Sequence, residues 1–287
     1  MIRLEFLPCI LIFLLNILFI LLKALRFQAI LAVHDLRLSF KEIFPLNTAG
    51  MYLGSVTPGR LGDLSRIWLL HRRRDISYRQ GTVLVILDRI MDLLVLVGLA
   101  GLILYMAPHP LWGVAAFSTG FLILILFSIR LDAIIGFGVH LWERIQKRAY
   151  TDLPKITLPW GVLNPRLFRP WVMSVAAGGI LVGQILLISQ MYGFSIPPLY
   201  LAGTLGLASL TGLLPITISG LGTRELVFTQ LLGILHVSGP GALSISLSFF
   251  VLNNLGILGI NAILFYFFSD KLPSIPRTFN TKDYLEI

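Results

Sequence analysis

The sequence predicts an all-α integral membrane protein, a polytopic helical bundle with two inverted re-entrant helical hairpins. Hydrophobic residues occupy 56% of the 287 positions, charged residues only 13%, and the mean hydropathy is +0.85. A soluble domain carries about 25% charged residues, so most of this surface is expected to face lipid. Several segments reach the length of about 20 apolar residues that a membrane-spanning helix needs. Two other segments are apolar but interrupted by glycine and proline.

Five uninterrupted apolar segments are predicted to cross the bilayer. They cover residues 6–25, 81–106, 111–129, 170–192 and 242–268. The first is interpreted as a retained helix, because it ends in Lys23-Ala24-Leu25-Arg26 and no small-x-small cleavage site follows. The whole chain, 1–287, is expected to form one membrane domain. Its parts are a first half-repeat at about 26–129, a second half-repeat at about 170–268 and a tail at 269–287.

The placement of lysine and arginine predicts the topology. Basic residues are concentrated near 26–41, 60–79 and 130–169 and in the tail. The turns near 107–111, 193–198 and 235–241 contain neither lysine nor arginine. The positive-inside rule places basic loops in the cytoplasm, so in a cell membrane the N-terminus is expected outside and the C-terminus inside. All basic loops lie on the cytoplasmic side only if segments 43–70 and 199–235 each enter and leave the membrane on the same side, as re-entrant hairpins do.

The two broken segments resemble each other. Each has an apolar glycine-rich arm, a proline, a Leu-Gly turn and an acid close to a base. Broken backbone in a bilayer survives only where it lines protein or a water cavity, and paired broken segments in two half-repeats indicate a transporter site near the midplane. The alternative is that the small residues merely allow close helix packing. The predicted hairpin breaks are Pro58, Gly59 and Gly62 in the first segment and Pro215, Gly220 and Gly222 in the second.

Charged residues inside a predicted span indicate a buried polar site. Asp88, Arg89 and Asp92 lie within segment 81–106, where each charge costs about 2.5–3.5 kcal/mol on insertion scales. Their spacing puts them on neighbouring turns of one helix. Arg89 is expected to neutralise one aspartate, and the other acid is expected to pair with Arg60 or Arg66. A purely structural ion-pair role and a substrate-contacting role both remain open for these residues.

Arg60 and Arg224 are the stronger candidates for contact with an anion. Each lies at a predicted hairpin break, where a helix N-terminus favours anions, and guanidinium binds phosphate as a bidentate fork. Asp63 and Glu225 are expected to be their local partners, or proton-coupling groups. Three amides in the predicted spans are interpreted as interhelical hydrogen-bonding groups. These are Gln184, Asn253 and Asn254. The predicted substrate-binding residues are Arg60, Asp63, Arg66, Asp88, Arg89, Asp92, Arg224 and Glu225.

The sequence disfavours nucleic-acid binding and enzymatic chemistry. The formal charge of +9 comes from loops on one side of the apolar segments, which the positive-inside rule explains without a nucleic-acid partner. Asp88 and Asp92 have an i, i+4 spacing that suits a magnesium ion, but Arg89 between them opposes a cation. The five histidines are scattered, and Cys9 is the only cysteine, so no internal disulfide is available. We expect no catalytic residues, no metal and no cofactor.

Three motifs in order give the chain a specific family resemblance. They are Thr57-Pro58-Gly59-Arg60-Leu61-Gly62-Asp63 with Arg66, then Asp88-Arg89 with Asp92, then Gly220-Leu221-Gly222-Thr223-Arg224-Glu225. Over nearly its whole length the chain resembles the lysylphosphatidylglycerol synthetase membrane-domain family, whose members are also called flippase-like proteins. In the best-known relatives this domain accompanies a soluble aminoacyl-transferase domain and is held to move the modified phospholipid across the bilayer. Other relatives occur alone, some beside glycosyltransferases that act on lipid-linked sugars.

The chain departs from the family pattern in three places. Asp63 stands where glutamate is common, which keeps the charge. The chain begins close to the helix that usually comes second. It ends about twenty residues after its last predicted span, so a stand-alone member without the aminoacyl-transferase domain is expected, and synthesis of aminoacyl lipid is not carried over.

The resemblance and the paired broken segments lead to the same expected function. We expect a transporter or flippase that moves an anionic lipid or lipid-linked substrate across the cytoplasmic membrane. The expected ligand is an anionic phospholipid or a polyprenyl-phosphate-linked substrate. The alternative is a non-transporting membrane partner of a glycosyltransferase or lipid-modifying enzyme, and a membrane-embedded lipid transferase is a further rival.

Overall fold

A computed structural model describes residues 6–74, 76–105, 161–213 and 220–269, together with a few residues between 118 and 130. Within these ranges the chain is helical apart from short connections, and they contain no strand, as the fold class predicted. Most of the predicted span at 111–129, the hairpin residue Pro215 and the tail beyond residue 269 lie outside the described residues.

Nine α-helices are described. They are α1 (Phe6–Val33), α2 (Phe40–Val56), α3 (Ser65–Arg74), α4 (Tyr78–Tyr105), α5 (Phe168–Met191), α6 (Pro198–Thr211), α7 (Thr223–Ile234), α8 (Gly239–Phe249) and α9 (Gly256–Phe268). A 3-10 turn, Pro58–Leu64, joins α2 to α3, and a π-helical turn, Phe250–Leu255, joins α8 to α9. Two short 3-10 turns, Gly161–Leu163 and Pro165–Leu167, precede α5.

Three of the described helical segments are long and apolar enough to cross a membrane. They are Phe6–Val33, Pro165–Met191 and Gly239–Phe268. Their outer faces are strongly apolar, since Phe6 is 85% and Tyr266 77% exposed. In a soluble protein such residues would be costly to expose, whereas in a bilayer they contact lipid. The structure therefore supports a polytopic membrane protein.

The first helix is longer than the predicted span at 6–25. Helix α1 continues to Val33 and places Lys23 and Arg26 inside the bundle, with Arg26 fully buried. The prediction that a loop begins at Arg26 was wrong. The helix continues because aspartates of α4 neutralise both cations, so Phe27, Ile30 and Leu31 can follow them into the core.

The second helix contains a proline but is not broken by it. Helix α2 is continuous from Phe40 to Val56, with Pro45 inside it. Its first turn is capped where the backbone N–H of Ser39 donates to Glu42 (2.9 Å). Ile43 and Leu46 are buried in the core. One missing N–H donor at Pro45 therefore does not end the helix.

The apolar core of the described residues contains two large clusters, built mainly from the first and the second half of the chain, and a small third cluster of Ile20, Met51 and Ile257. The first is built mainly from α2, α3 and α4 with the second half of α1. The second is built mainly from α5, α6, α7 and α8. Helices α4 and α6 pack against each other across the two halves, where Gly203 and Gly206 lie against α4. A β-carbon added at Gly206 would lie 2.5 Å from the backbone nitrogen of Ala100, so glycine is required at this crossing.

Candidate functional site

A cavity of about 140 Å³ lies between the two broken segments. It is about ten times the volume that one buried water requires. The first broken segment contributes Ser55, Thr57, Arg60 and Asp63, and the second contributes Ser209, Gly212, Leu213, Gly220 and Arg224. Helices α1 and α4 add Lys23 and Arg89. Residues far apart in the sequence, at the two motifs predicted to form hairpin breaks, thus meet around one polar space.

The first broken segment turns back tightly onto α2. Thr57 follows the last residue of α2, and its hydroxyl accepts a hydrogen bond from the backbone N–H of Gly62 (2.7 Å) while donating to the carbonyl of Leu53 (3.0 Å). A β-carbon at Gly62 would lie 2.2 Å from that same carbonyl oxygen, so only glycine fits there. Arg60 sits in the left-handed region at φ 58°, a backbone conformation uncommon for a residue other than glycine. The fold of this turn therefore fixes where Arg60 and Asp63 stand.

The second broken segment uses glycine in the same way. Gly220 and Gly222 have φ of 80° and 93°, values that favour glycine. A β-carbon at Gly220 would lie 2.8 Å from the α-carbon of Gly212. The N–H of Gly222 donates to the Glu225 carboxylate (2.6 Å), which caps α7 from its third position. This turn brings Gly220 and the adjoining Arg224 to the cavity.

A buried network of ion pairs lies behind the cavity. The Arg26 guanidinium donates to one oxygen of Asp88 at 2.9 and 2.6 Å and also pairs with Asp92. Arg66 donates to the other oxygen of Asp88 at 3.0 Å, and Lys23 pairs with Asp92. Arg26, Arg66 and Asp88 are at most 1% exposed. The network ties α1, α3 and α4 together, because burying any one of these charges without its partners is costly.

Asp63 connects the first broken segment to α4. One of its carboxylate oxygens lies 3.0 Å from Arg89, which also lies 3.6 Å from Asp92. The sequence analysis expected Arg60 as the local partner of Asp63, and this was wrong because α4 passes beside the turn and brings Arg89 to the carboxylate. Arg60 makes no ion pair within the part of the chain that the structure describes. The expected pairing of the remaining α4 aspartate with Arg66 is confirmed for Asp88.

Arg224 is held less tightly than the arginines of the network. Its guanidinium lies 3.4 Å from Glu225, the partner that the sequence predicted, and 5.1 Å above the ring of Phe250. The Glu225 carboxylate also accepts hydrogen bonds from the Ser246 hydroxyl (3.1 Å) and from the backbone N–H of Gly222. Its oxygens are therefore shared between Arg224 and these two donors. The Nε of Arg224 finds no hydrogen-bond acceptor among the described residues, although Arg224 is only 4% exposed.

Two other residues that line the cavity also contain buried polar atoms without a partner. The second oxygen of Asp63 and the Nε of Arg89 are buried and have no hydrogen-bond partner within the described ranges. Buried polar atoms are paired in the great majority of cases. Three such atoms on residues that line one cavity therefore show that the polar groups around it are incompletely hydrogen-bonded.

The predicted site residues fall into two groups. Arg60, Asp63, Arg89, Arg224 and Gly220 line the cavity. The others stand behind it or shape its turns: Arg66 and Asp88 in the network, Asp92 beside Lys23, Glu225 as the cap of α7, Gly222 before α7, and Gly62 within the turn that Pro58 and Gly59 begin.

Several polar residues of the site were missed or only partly assigned by the sequence analysis. Lys23 and Arg26 were assigned to the end of a span, although their i, i+3 spacing within a helix that continues as an apolar sequence was a usable signal. Gln184 and Asn253 do make the expected interhelical hydrogen bonds: Gln184 donates to Asn16 (2.8 Å), and Asn253 donates to Gln184 (2.6 Å). Asn16 itself was not singled out. Asn254 lines the cavity instead.

Apolar helices of spanning length around an internal basic cavity define a polytopic helical membrane protein with a polar site inside the bundle. A family model described as the lysylphosphatidylglycerol synthase TM region matches residues 2–260. The chain belongs to this family, and the resemblance drawn from the motifs is confirmed. The chain is also similar to the UPF0104 membrane protein MJ1078 of Methanocaldococcus jannaschii. The two are 22% identical over 240 residues, which cover 79% of this chain and 98% of that protein.

Proposed function

We propose that this protein is a flippase that moves an anionic lipid, or a lipid-linked substrate with an anionic headgroup, across the membrane. The observation that carries the proposal is the cavity between the two broken segments. Among the described residues its wall presents Lys23, Arg60, Arg89 and Arg224 and one carboxylate, that of Asp63. Guanidinium groups bind phosphate well, and their attraction to an anion is strong where water is scarce. The cavity therefore suits a lipid phosphate.

The apolar part of the cavity wall suits the remainder of a lipid. Phe19, Met51, Leu181 and Ile257 line the same space as the basic residues. A lipid can thus place its phosphate against the arginines while the start of its hydrocarbon chain contacts apolar side chains. Water-soluble anions gain nothing from that second contact.

Helix lengths support a re-entrant arrangement of the two broken segments. Helices α2, α3, α6 and α7 contain 17, 10, 14 and 12 residues. At about 1.5 Å per residue each is shorter than the hydrocarbon core of about 30 Å. We propose that α2–α3 enters from the cytoplasm and α6–α7 from outside as an inverted pair, with the C-terminus in the cytoplasm of the cell.

The pairing of the site's carboxylates with arginine favours transport of the lipid without a chemical step. Asp63, Asp88 and Asp92 each pair with at least one arginine. Carboxylates neutralised in this way are poor ligands for the magnesium ion that a lipid-phosphate transferase would use. We therefore propose that the protein binds and moves its lipid without altering it.

Lipid translocation in proteoliposomes tests the proposed function. Purified protein is reconstituted, and transbilayer movement of labelled anionic and sugar-linked lipids is measured for wild type, Arg60→Ala and Arg224→Ala. The matched control is Arg37→Ala, because Arg37 is an exposed arginine in the connection after α1. We expect wild type and Arg37→Ala to move the lipid and both cavity variants to lose most of the rate. If no labelled lipid moves faster than in protein-free vesicles, the flippase proposal fails and the non-transporting partner role gains support.

A further inference from the structure

The charges around the cavity do not cancel. Among the residues that the structure describes, the charged residues that line the cavity and their ion-pair partners comprise six basic and four acidic side chains. Within this set two positive charges are uncompensated. The basic members are Lys23, Arg26, Arg60, Arg66, Arg89 and Arg224, and the acidic members are Asp63, Asp88, Asp92 and Glu225.

The excess has a definite location. The network of α1, α3, α4 and the first turn contains four bases for three acids, so it carries one surplus charge. Arg60, whose side chain is exposed and has no ion-pair partner among the described residues, supplies the second from the rim of the cavity. Arg224 and Glu225 form a neutral pair. Of these four acids only Asp63 lines the cavity, so the described part of the cavity wall presents four cations and one anion.

A surplus of positive charge around a cavity in a membrane bundle favours a bound anion. Unpaired charges away from water are costly, and those found inside membrane proteins usually pair with another group or face a water-filled path. A bound anion with two negative charges balances this set, whereas one negative charge leaves it half balanced. A ligand that carries an ammonium group increases the imbalance.

We propose that the headgroup taken by this cavity carries about two negative charges and no cationic group, so that the substrate is a lipid phosphomonoester or lipid diphosphate. This inference rests on the proposed function and narrows its substrate class. A phosphomonoester carries a charge of about −1.5 to −2 at neutral pH. A phosphodiester headgroup carries one negative charge, and an aminoacylated phosphodiester is neutral or cationic. The cavity of this chain therefore selects against aminoacylated phospholipid.

The source of the phosphate is a lipid and not free inorganic phosphate. The basic residues share the cavity with Phe19, Met51 and Ile257, and α1 and α9, which contribute Phe19 and Ile257, also present strongly exposed apolar faces. A phosphate with a hydrocarbon chain uses both surfaces. Inorganic phosphate uses only the polar one and must leave bulk water to do so.

Lipid binding by the purified full-length chain in detergent tests the proposal. Dissociation constants are measured for phosphatidate, phosphatidylglycerol, phosphatidylethanolamine and lysyl-phosphatidylglycerol with matched acyl chains, and for inorganic phosphate. We expect phosphatidate to bind at least about tenfold more tightly than phosphatidylglycerol, because it adds nearly one unit of charge close to several cations. Lysyl-phosphatidylglycerol and inorganic phosphate are expected to bind most weakly.

Two variants check that the cavity charge causes this preference. Arg60→Gln removes one surplus charge and is expected to lower phosphatidate affinity about tenfold while changing phosphatidylglycerol affinity less. Ser209→Asp adds a negative charge to the cavity wall while keeping every arginine, and the same loss is expected. Ser209→Asn has nearly the same size without the charge and is the matched control. Arg37→Gln, on an exposed arginine outside the cavity, is expected to bind like wild type.

The outcomes separate this inference from the proposed function. If phosphatidylglycerol or lysyl-phosphatidylglycerol binds as tightly as phosphatidate, the charge argument is overturned, even where proteoliposomes still show lipid movement. Equal affinity for inorganic phosphate overturns the lipid part of the proposal. If phosphatidate is bound selectively through Arg60 but no lipid moves in proteoliposomes, the binding inference stands and the flippase function fails.

Discussion

Removal of the Asp88 carboxylate is the sharpest test of the buried charge network. Asp88 is 1% exposed and serves both Arg26, at 2.9 and 2.6 Å, and Arg66, at 3.0 Å. The variant Asp88→Asn keeps the shape of the side chain but leaves two fully buried guanidinium groups short of a counter-ion. Breaking a buried pair by removing one partner costs about 3–5 kcal/mol. We expect the free energy of unfolding to fall by this amount. It is measured by denaturant unfolding of the purified protein in detergent micelles.

The control for this experiment is Asp35→Asn. Asp35 is exposed in the connection after α1 and has a φ of 60°, a conformation that asparagine also adopts readily. Its substitution is expected to change stability by less than about 0.5 kcal/mol. A double-mutant cycle with Arg66→Gln should give a coupling energy above about 1 kcal/mol. If Asp88→Asn unfolds like wild type to within about 1 kcal/mol, the network does not hold α1, α3 and α4 together.

Two further predictions concern the turns that shape the cavity. Gly62→Ala forces a β-carbon against the carbonyl of Leu53 and is expected to destabilise the protein by about 1–3 kcal/mol. The control is Gly183→Ala in α5, where the added carbon has no neighbour within 4 Å. It should leave stability unchanged or raise it. Equal effects of the Gly62 and Gly183 substitutions would refute the tight turn. Glu225→Ala removes the acceptor for Gly222 and Ser246 and is expected to cost about 1–3 kcal/mol in micelle unfolding. Glu225→Gln retains an acceptor oxygen and should lose less; a larger loss for glutamine would contradict the capping role.

The apolar helices could be predicted from the sequence because their signal is local. A window of about 20 residues decides whether a helix can cross a bilayer, and the spans at 170–192 and 242–268 agree closely with Phe168–Met191 and with the Gly239–Phe268 segment. The meeting of the two broken segments around one cavity also followed from a local pattern, because their repeated motifs indicated corresponding places in the two halves.

The partners of the buried charges could not be read from the sequence in the same way. Lys23 and Arg26 follow an apolar run, and a loop on the basic side of the membrane gives the same pattern. Only the fold shows that Arg26 reaches Asp88, which lies 62 positions later. Asp63 was paired with Arg60 because they are neighbours in sequence, yet the neighbour in space is Arg89 of another helix. Such pairings depend on helix packing, which the sequence pattern does not specify.

The proposed path of the anionic lipid headgroup is the basic cavity between the two broken segments. The most direct test is the initial rate of transbilayer movement of a labelled lipid phosphomonoester in proteoliposomes, compared between wild type, Arg224→Ala and Arg37→Ala. We expect a rate well above that of protein-free vesicles for wild type and Arg37→Ala, and a protein-dependent rate at least about tenfold lower for folded Arg224→Ala. Equal rates for wild type and folded Arg224→Ala would show that lipid crosses without using the cavity.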